Sequence, residues 1–167
     1  MITLAILSAL IFHGYLLFVL LKYGPTLSIS NTYYALPKKY NFAFTLYMWT
    51  YSILMLIPML EMFGTPFIFL SVGAICFVGA AAAFREDSLT ESVHVKSAFI
   101  AGLGSQLTLI FDFKYYVLAG VTLLLAGLIY YLGGTKKILV NKVYIYLAEL
   151  AFFESIYIAL FTKLLTK

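Results

Sequence analysis

The chain has 167 residues, of which 63% are hydrophobic and only 11% are charged. A water-soluble domain of this length needs a larger polar share to cover its surface, so the composition excludes that class and indicates a membrane protein. The formal net charge is +4, but the basic residues lie at the ends of apolar stretches. There they suit anionic lipid headgroups, and nucleic acid is not an expected partner.

Six apolar segments are long enough, or nearly long enough, to cross a bilayer core of about 30 Å. They are residues 2–22, 41–61, 66–84, 94–111, 115–133 and 143–164. Turn residues separate them, and unpaired backbone amides are costly in lipid, so each segment is predicted to be a helix. The first has no basic flank of the signal-peptide type and is interpreted as a retained helix. The predicted fold is an all-α polytopic membrane helix bundle, one transmembrane domain over residues 1–167.

The orientation follows from the distribution of Lys and Arg between the two sides. With six spans, the first, third and fifth connections hold eight basic residues, and the opposite side holds three: Lys114, Lys163 and Lys167. This bias predicts that the three basic connections are cytoplasmic and that both termini lie on the non-cytoplasmic side. The bacterial inner membrane is the expected location.

Small residues recur at helical spacing in the third and fourth segments. They are Gly73, Cys76, Ala80 and Ala83 in one, and Ala98, Ala101, Gly102 and Ser105 in the other. Small side chains let membrane helices approach closely. The stripes predict packing of these two helices on each other, with a homo-oligomer seam as the alternative.

Four polar residues reach a similar depth near the middle of their segments: His13, Ser52, Gln106 and Glu154. Polar and ionisable groups at mid-membrane are costly unless they face protein or water. The sequence therefore predicts that this layer turns inward, either as a structural hydrogen-bond network between helices or as a ligand cavity or proton pathway. A metal or hydrolytic site is the third interpretation, but no local H-x-x-E or E-x-x-H spacing supports it.

Glu149 belongs to the same segment as Glu154 but is five residues away. Five helical residues rotate the side chain by about 500°, so the two carboxyl groups lie about 140° apart around the helix. They are not a paired acid–base dyad, and each needs its own partner. Water, Lys142 or His94 are the candidates for Glu149, and the last helix is expected to be central, with protein on two sides.

Charged residues are densest in the third connection, FREDSLTESVHVKSAF. Asp87, Glu91 and His94 are candidates for the cytoplasmic mouth of a cavity, where a histidine could titrate near neutral pH. The alternative is a solvated loop whose Ser88 or Ser92 caps the fourth helix.

The first connection, GPTLSISNTYYALPKKY, combines tyrosines with two lysines. This composition favours anchoring at the membrane interface. The alternative is a lid over a cytoplasmic cavity.

The stretch SISNTYY at residues 28–34, the aromatic second segment and the charged connection to His94 resemble small uncharacterised multi-pass membrane proteins of bacteria and phages. A remoter resemblance is to the alkaline-ceramidase-like membrane hydrolases, which use a serine, an aspartate and three histidines at a cytoplasm-side zinc site. That resemblance implies roles for Ser52, Asp87 and His94. The chain departs from it in having two histidines, with Glu in the last segment where the family has His.

The leading functional hypothesis is a non-enzymatic integral membrane protein that binds a small ligand or lipid, or couples to protons, through polar residues inside the bundle. No cofactor is expected. The alternatives are a metal-dependent membrane hydrolase with a cytoplasm-side site and a structural or interaction protein. The expected partners are the lipid bilayer, an unidentified small ligand and a second copy of the chain.

Overall fold

The computed structural model describes residues 1–63, 66–82, 88–112, 114–135 and 143–166, and every regular element in them is helical. The elements are α1 (Ile2–Tyr23), α2 (Thr32–Ala35), a 3₁₀ turn (Lys38–Tyr40), α3 (Phe42–Phe63), α4 (Pro66–Ala82), α5 (Ser88–Leu107), α6 (Tyr116–Tyr130) and α7 (Tyr144–Leu165). One π-helical turn extends α5 to Asp112, and another extends α6 to Thr135. The all-helical prediction is confirmed.

The six long helices coincide with the six predicted segments, with one clear difference. The fourth segment was predicted to begin at residue 94, but α5 begins at Ser88. Glu91, which was expected in the connecting loop, lies in the first turn of α5, whereas residues 83–87 lie outside the described part of the chain. Ser92 lies inside α5 and is not its cap.

Four helical segments of the described residues are long and apolar enough to cross a membrane. They are Ile2–Tyr23, Lys38–Met62, Tyr116–Gly133 and Tyr144–Leu165. A shorter apolar helix covers Phe67–Ala80. Large apolar side chains are exposed along these helices, among them Leu21, Val117 and Leu124. Such surfaces are the ones that a bilayer covers.

Five of the helices are arranged in a ring, in the order α1, α3, α4, α5 and α7, and α7 closes the ring by touching α1. The remaining long helix, α6, packs on the outside against α7. Helix α7 therefore touches α1, α5 and α6, as expected for a central helix. The core of the ring is apolar and aromatic, with Phe12, Phe44 and Tyr51 fully buried.

Glycines set the two closest approaches around α4. A Cβ atom added to Gly79 would lie 2.8 Å from Met48 Cβ of α3, and one added to Gly104 would lie 3.1 Å from the Ser71 nitrogen of α4. Contacts this close require residues without a side chain. The predicted packing of α4 on α5 is confirmed, but Gly73 and Gly102 of the predicted stripes have open space around them. Helix α4 uses its Cys76–Gly79 face against α3.

Polar side chains also hold α4 to its neighbours. Thr45 Oγ1 donates to the carbonyl of Gly79 at 2.8 Å, and Trp49 Nε1 donates to the carbonyl of Cys76 at 3.1 Å. On the other side, Ser71 Oγ donates to the carbonyl of Ala101 in α5. These bonds to backbone carbonyls fix the α3–α4–α5 wall of the ring, which is one side of the cavity described next.

Candidate functional site

A cavity of about 70 Å³ lies inside the ring, between α3, α4, α5, α7 and the loop that follows α1. By this measure a cavity needs roughly 10–15 Å³ to hold one water, so the space can hold several waters or one small solute. Most of the lining is apolar, including Met48, Met55 and Ile75. The polar groups are few, and Glu149 of α7 is the one ionisable side chain among the lining residues.

Glu149 is held by the backbone of the loop. The N–H of Ile29 donates to Glu149 Oε2 at 2.6 Å. In return, the N–H of Tyr146, in the first turn of α7, donates to the carbonyl of Leu27 at 3.0 Å. The first N–H groups of a helix have no partner within the helix, so the loop satisfies one of them while Glu149 satisfies an amide of the loop. The segment 25–31 is thereby fixed against α7 and closes one end of the cavity.

Serines supply the other polar groups at the cavity wall, and their hydroxyls are committed to nearby acceptors. Ser105 Oγ donates to the carbonyl of Gly102 at 2.6 Å. Ser30 Oγ lies 2.9 Å from Ser28 Oγ. Ser71 bonds to α5, as described above. A hydroxyl that donates to a carbonyl still has lone pairs to offer, so each serine can accept one more hydrogen bond from a molecule in the cavity.

The carboxyl group of Glu149 has unused capacity. Its Oε2 accepts from Ile29, while within the described residues Oε1 accepts no hydrogen bond and the group forms no ion pair. Among the described residues that line the cavity, none is Lys, Arg or His. Glu149 is partly buried, and carboxylates that are withdrawn from water are normally paired with a cation or a set of donors. The site therefore offers one acidic group and several hydroxyl acceptors to a donor that the lining itself does not supply.

The partner of Glu154 is His13, on the other side of α7. His13 Nε2 lies 2.6 Å from Glu154 Oε1 and joins α1 to α7 at the middle of both helices. The two residues were predicted to turn inward, but their side chains are 46% and 38% exposed on the outer seam of the ring. The pairing joins the imidazole to one oxygen of the carboxyl group without burial, and depth along a helix does not determine which face a residue occupies.

The hydrogen bonds of His13 set the number of protons on the pair. Nδ1 faces the carbonyl of Ala9 at 2.7 Å, and Nε2 faces the carboxyl group of Glu154. A carbonyl only accepts, so Nδ1 carries a proton. The second proton lies between Nε2 and Oε1, which makes the pair either imidazolium with carboxylate or imidazole with carboxylic acid. Both forms are neutral overall, as a pair at mid-membrane depth requires.

Aromatic residues back the inner side of this pair. The ring of Phe12 packs against His13, Tyr47, Tyr51 and Phe153. Next to these rings, Ser8 Oγ donates to the carbonyl of Tyr51 at 2.8 Å and lies 2.8 Å from the Tyr157 hydroxyl. Because the Ser8 proton is used by that carbonyl, the Tyr157 hydroxyl donates to Ser8 Oγ. Helices α1, α3 and α7 are thus joined by one buried serine.

The other two members of the predicted layer do not join His13 and Glu154. Ser52 is fully buried and its hydroxyl donates to the carbonyl of Met48 in its own helix. Gln106 Nε2 reaches the hydroxyls of Ser105 and Ser155 at 3.2 and 3.5 Å. Gln106 Oε1 is buried without a hydrogen-bond partner among the described residues. Gln106 therefore connects α5 to α7 beside the cavity, and Ser52 connects nothing.

The expected cytoplasmic mouth can be placed only in part. His94 is buried in α5, whereas Asp87 and the side chain of Glu91 lie outside the described part of the chain. Lys142, a candidate partner for Glu149, also lies outside it. The described residues contain no group of three or more His, Cys, Asp and Glu side chains close enough to hold a metal ion.

Backbone and hydroxyl groups contribute to this site in ways that were not predicted from the sequence. Ser71 and Ser105 are isolated hydroxyl residues in apolar helices, a signal that could have marked them as lining a polar interior. The amide of Ile29 carries no signal at all, because its role depends on where the loop packs. Comparison of the chain with protein-family models, curated protein sequences and solved structures finds no match.

Proposed function

We propose that the protein is a non-enzymatic integral membrane protein that binds a small solute carrying a cationic or hydrogen-bond-donating group. The solute occupies the cavity within the helix ring and pairs with Glu149. The observation that carries this proposal is a carboxyl group in the lining of a largely apolar cavity, to which the described part of the chain contributes no basic side chain. Such a group favours a positively charged or donating guest over a neutral apolar one.

The proposed topology has six membrane-spanning helices and both termini on the non-cytoplasmic side. The four long apolar segments, the shorter helix α4 and the exposed apolar side chains of α5, among them Phe99 and Leu103, support it. The excess of basic residues in the odd-numbered connections supports the orientation. The loop segment 25–31 then lies at the cytoplasmic end, so Glu149 is reached from that side.

The size of the cavity restricts the solute to a few heavy atoms. Methylammonium has two heavy atoms, a positive charge, three N–H donors and one methyl group for the apolar wall. It is therefore a suitable probe for the site, and methanol is a neutral molecule of matching size.

Methylammonium is expected to stabilise the purified protein in a saturable way. At ten times the dissociation constant, binding to the folded state contributes ~1.4 kcal/mol, which raises the Tm by about 3–6 °C for a chain of this size. Thermal unfolding in detergent, with sodium chloride at equal ionic strength as the salt control, measures the effect. Methanol at the same concentrations should give a smaller shift.

Two matched glycine substitutions locate the binding. Gly102 lines the cavity and Gly120 lies on α6 outside it, and a Cβ atom added at either position meets no atom within 4 Å. Gly102→Leu should fill the cavity and abolish the shift with methylammonium, while Gly120→Leu should keep it. An equal response of both variants, or no saturable shift in the wild-type chain, would contradict the proposal.

A further inference from the structure

Helix α1 carries an exposed stripe that no other part of the described protein covers. Its members are spaced by four, three, four and three residues along the helix: Ile6, Leu10, His13, Leu17 and Leu20. This is the spacing of a helix–helix seam in which side chains of one helix insert between those of another. The single polar member, His13, is at its centre.

Helix α7 presents a second stripe with the same spacing. Its members are Leu147, Ala151, Glu154, Ile158, Phe161 and Leu165, all exposed or partly exposed. Glu154 lies near the middle of this stripe. The hydrogen bond between His13 and Glu154 connects the two stripes at their centres, so they form one continuous outer surface, which we call the α1/α7 face.

The polar pair on this face is incompletely satisfied. Glu154 Oε2 accepts no hydrogen bond among the described residues, and both side chains of the pair remain partly exposed at mid-helix. In a bilayer these atoms would contact acyl chains, which offer no hydrogen bonds. Polar side chains at this depth normally face protein. A partner of the right chemistry would cover the face and supply charge complementarity to the pair.

We infer that a second copy of this chain covers the α1/α7 face. In its imidazolium–carboxylate form the pair is self-complementary under twofold rotation, because the rotated copy can place its imidazolium ring against the carboxylate and its carboxylate against the imidazolium ring. The heptad-spaced leucines on either side supply the apolar packing. A polar residue at the centre of such a seam fixes its register.

The small-residue stripes of α4 and α5 were the seam predicted from the sequence. Within the protomer α4 and α5 pack on each other, and Ala101 of the α5 stripe is buried beside Ser71. The α1/α7 face, in contrast, does not line the cavity. Self-association therefore stands apart from the proposed solute binding, and either can fail without the other.

Cysteine cross-linking in membranes tests this inference. The natural Cys76 is first replaced by alanine, which leaves a cysteine-free chain. Leu10→Cys and Leu17→Cys then place thiols on the α1/α7 face, and Leu124→Cys and Leu128→Cys place them on equally exposed positions of α6. We expect a disulfide-linked dimer for the first two variants and a monomer for the second two.

The wild-type chain provides a test that needs no variant. Native mass spectrometry from lipid nanodiscs should report two copies. Replacing His13 by Glu puts two carboxyl groups on each protomer's face and should weaken association by about threefold or more, and adding Glu154→His to that variant should restore it. A monomer in nanodiscs, or α6 cross-links as strong as those of α1, would overturn the inference. Capture of a different protein on the face without a dimer would do so as well.

Discussion

Replacing Glu149 by alanine is expected to release the loop segment 25–31 from α7. The bond from the Ile29 amide to the Glu149 carboxyl group is one of two hydrogen bonds between this segment and α7 among the described residues. Hydrogen bonds to charged groups contribute ~1.5–3 kcal/mol. Amide hydrogen exchange at Ile29 should therefore accelerate about tenfold or more. The measurement is hydrogen exchange with mass spectrometry on the protein in detergent or nanodiscs.

Glutamine at the same position separates the two roles of Glu149. Its amide oxygen can still accept from Ile29, so slow exchange of the loop should largely persist. The negative charge is gone, so stabilisation by methylammonium should disappear. An Ile29 amide that exchanges at the wild-type rate in Glu149→Ala would show that the carboxyl group does not hold the loop. A Glu149→Gln variant that responds normally to methylammonium would show that its charge does not bind the probe.

The second large effect is expected from breaking the pair of His13 and Glu154. Removing one partner leaves the other as an unpaired polar group near the middle of the membrane, at a cost of ~2–3 kcal/mol. His13→Leu and Glu154→Leu should each destabilise the protein by about this amount. The double variant should be far less destabilised than the sum, because no orphaned group remains and leucine suits the surrounding lipid.

The free energy of unfolding in mixed micelles, measured for all four proteins, gives the coupling energy directly. The proteins are compared at a micelle dilution at which their association states are the same, so that loss of a dimer does not enter the cycle. Additive single effects would mean that the 2.6 Å contact of His13 with Glu154 contributes nothing to stability.

Much of the helical architecture is predictable from hydropathy because the helices are apolar throughout. The predicted limits of the first segment, 2–22, differ from those of α1 by one residue at the C-terminal end. Because the helices are apolar throughout, their sequences do not show which face of each helix is buried. In α1 apolar residues occur on every face, so the sequence did not distinguish the buried Phe12 from the exposed His13 next to it.

The sequence predicted that Glu149 and Glu154 have separate partners, but it did not predict which groups those partners are. The rotation between Glu149 and Glu154 correctly implied different partners, and the structure gives them Ile29 and His13. A loop amide could not be anticipated as a partner, because its position depends on how the loop packs after the ring has closed. Ser52 was expected to join a polar layer shared by several helices because of its depth. Instead, its hydroxyl donates to a carbonyl of its own helix.

A structure of the wild-type chain in lipid nanodiscs with methylammonium present tests the central claim most directly. We predict non-protein density in the cavity between α3, α4, α5 and α7, with its nitrogen within hydrogen-bond distance of the Glu149 carboxyl group. An empty or collapsed cavity at saturating methylammonium, or a basic side chain of the protein itself paired with Glu149, would contradict it.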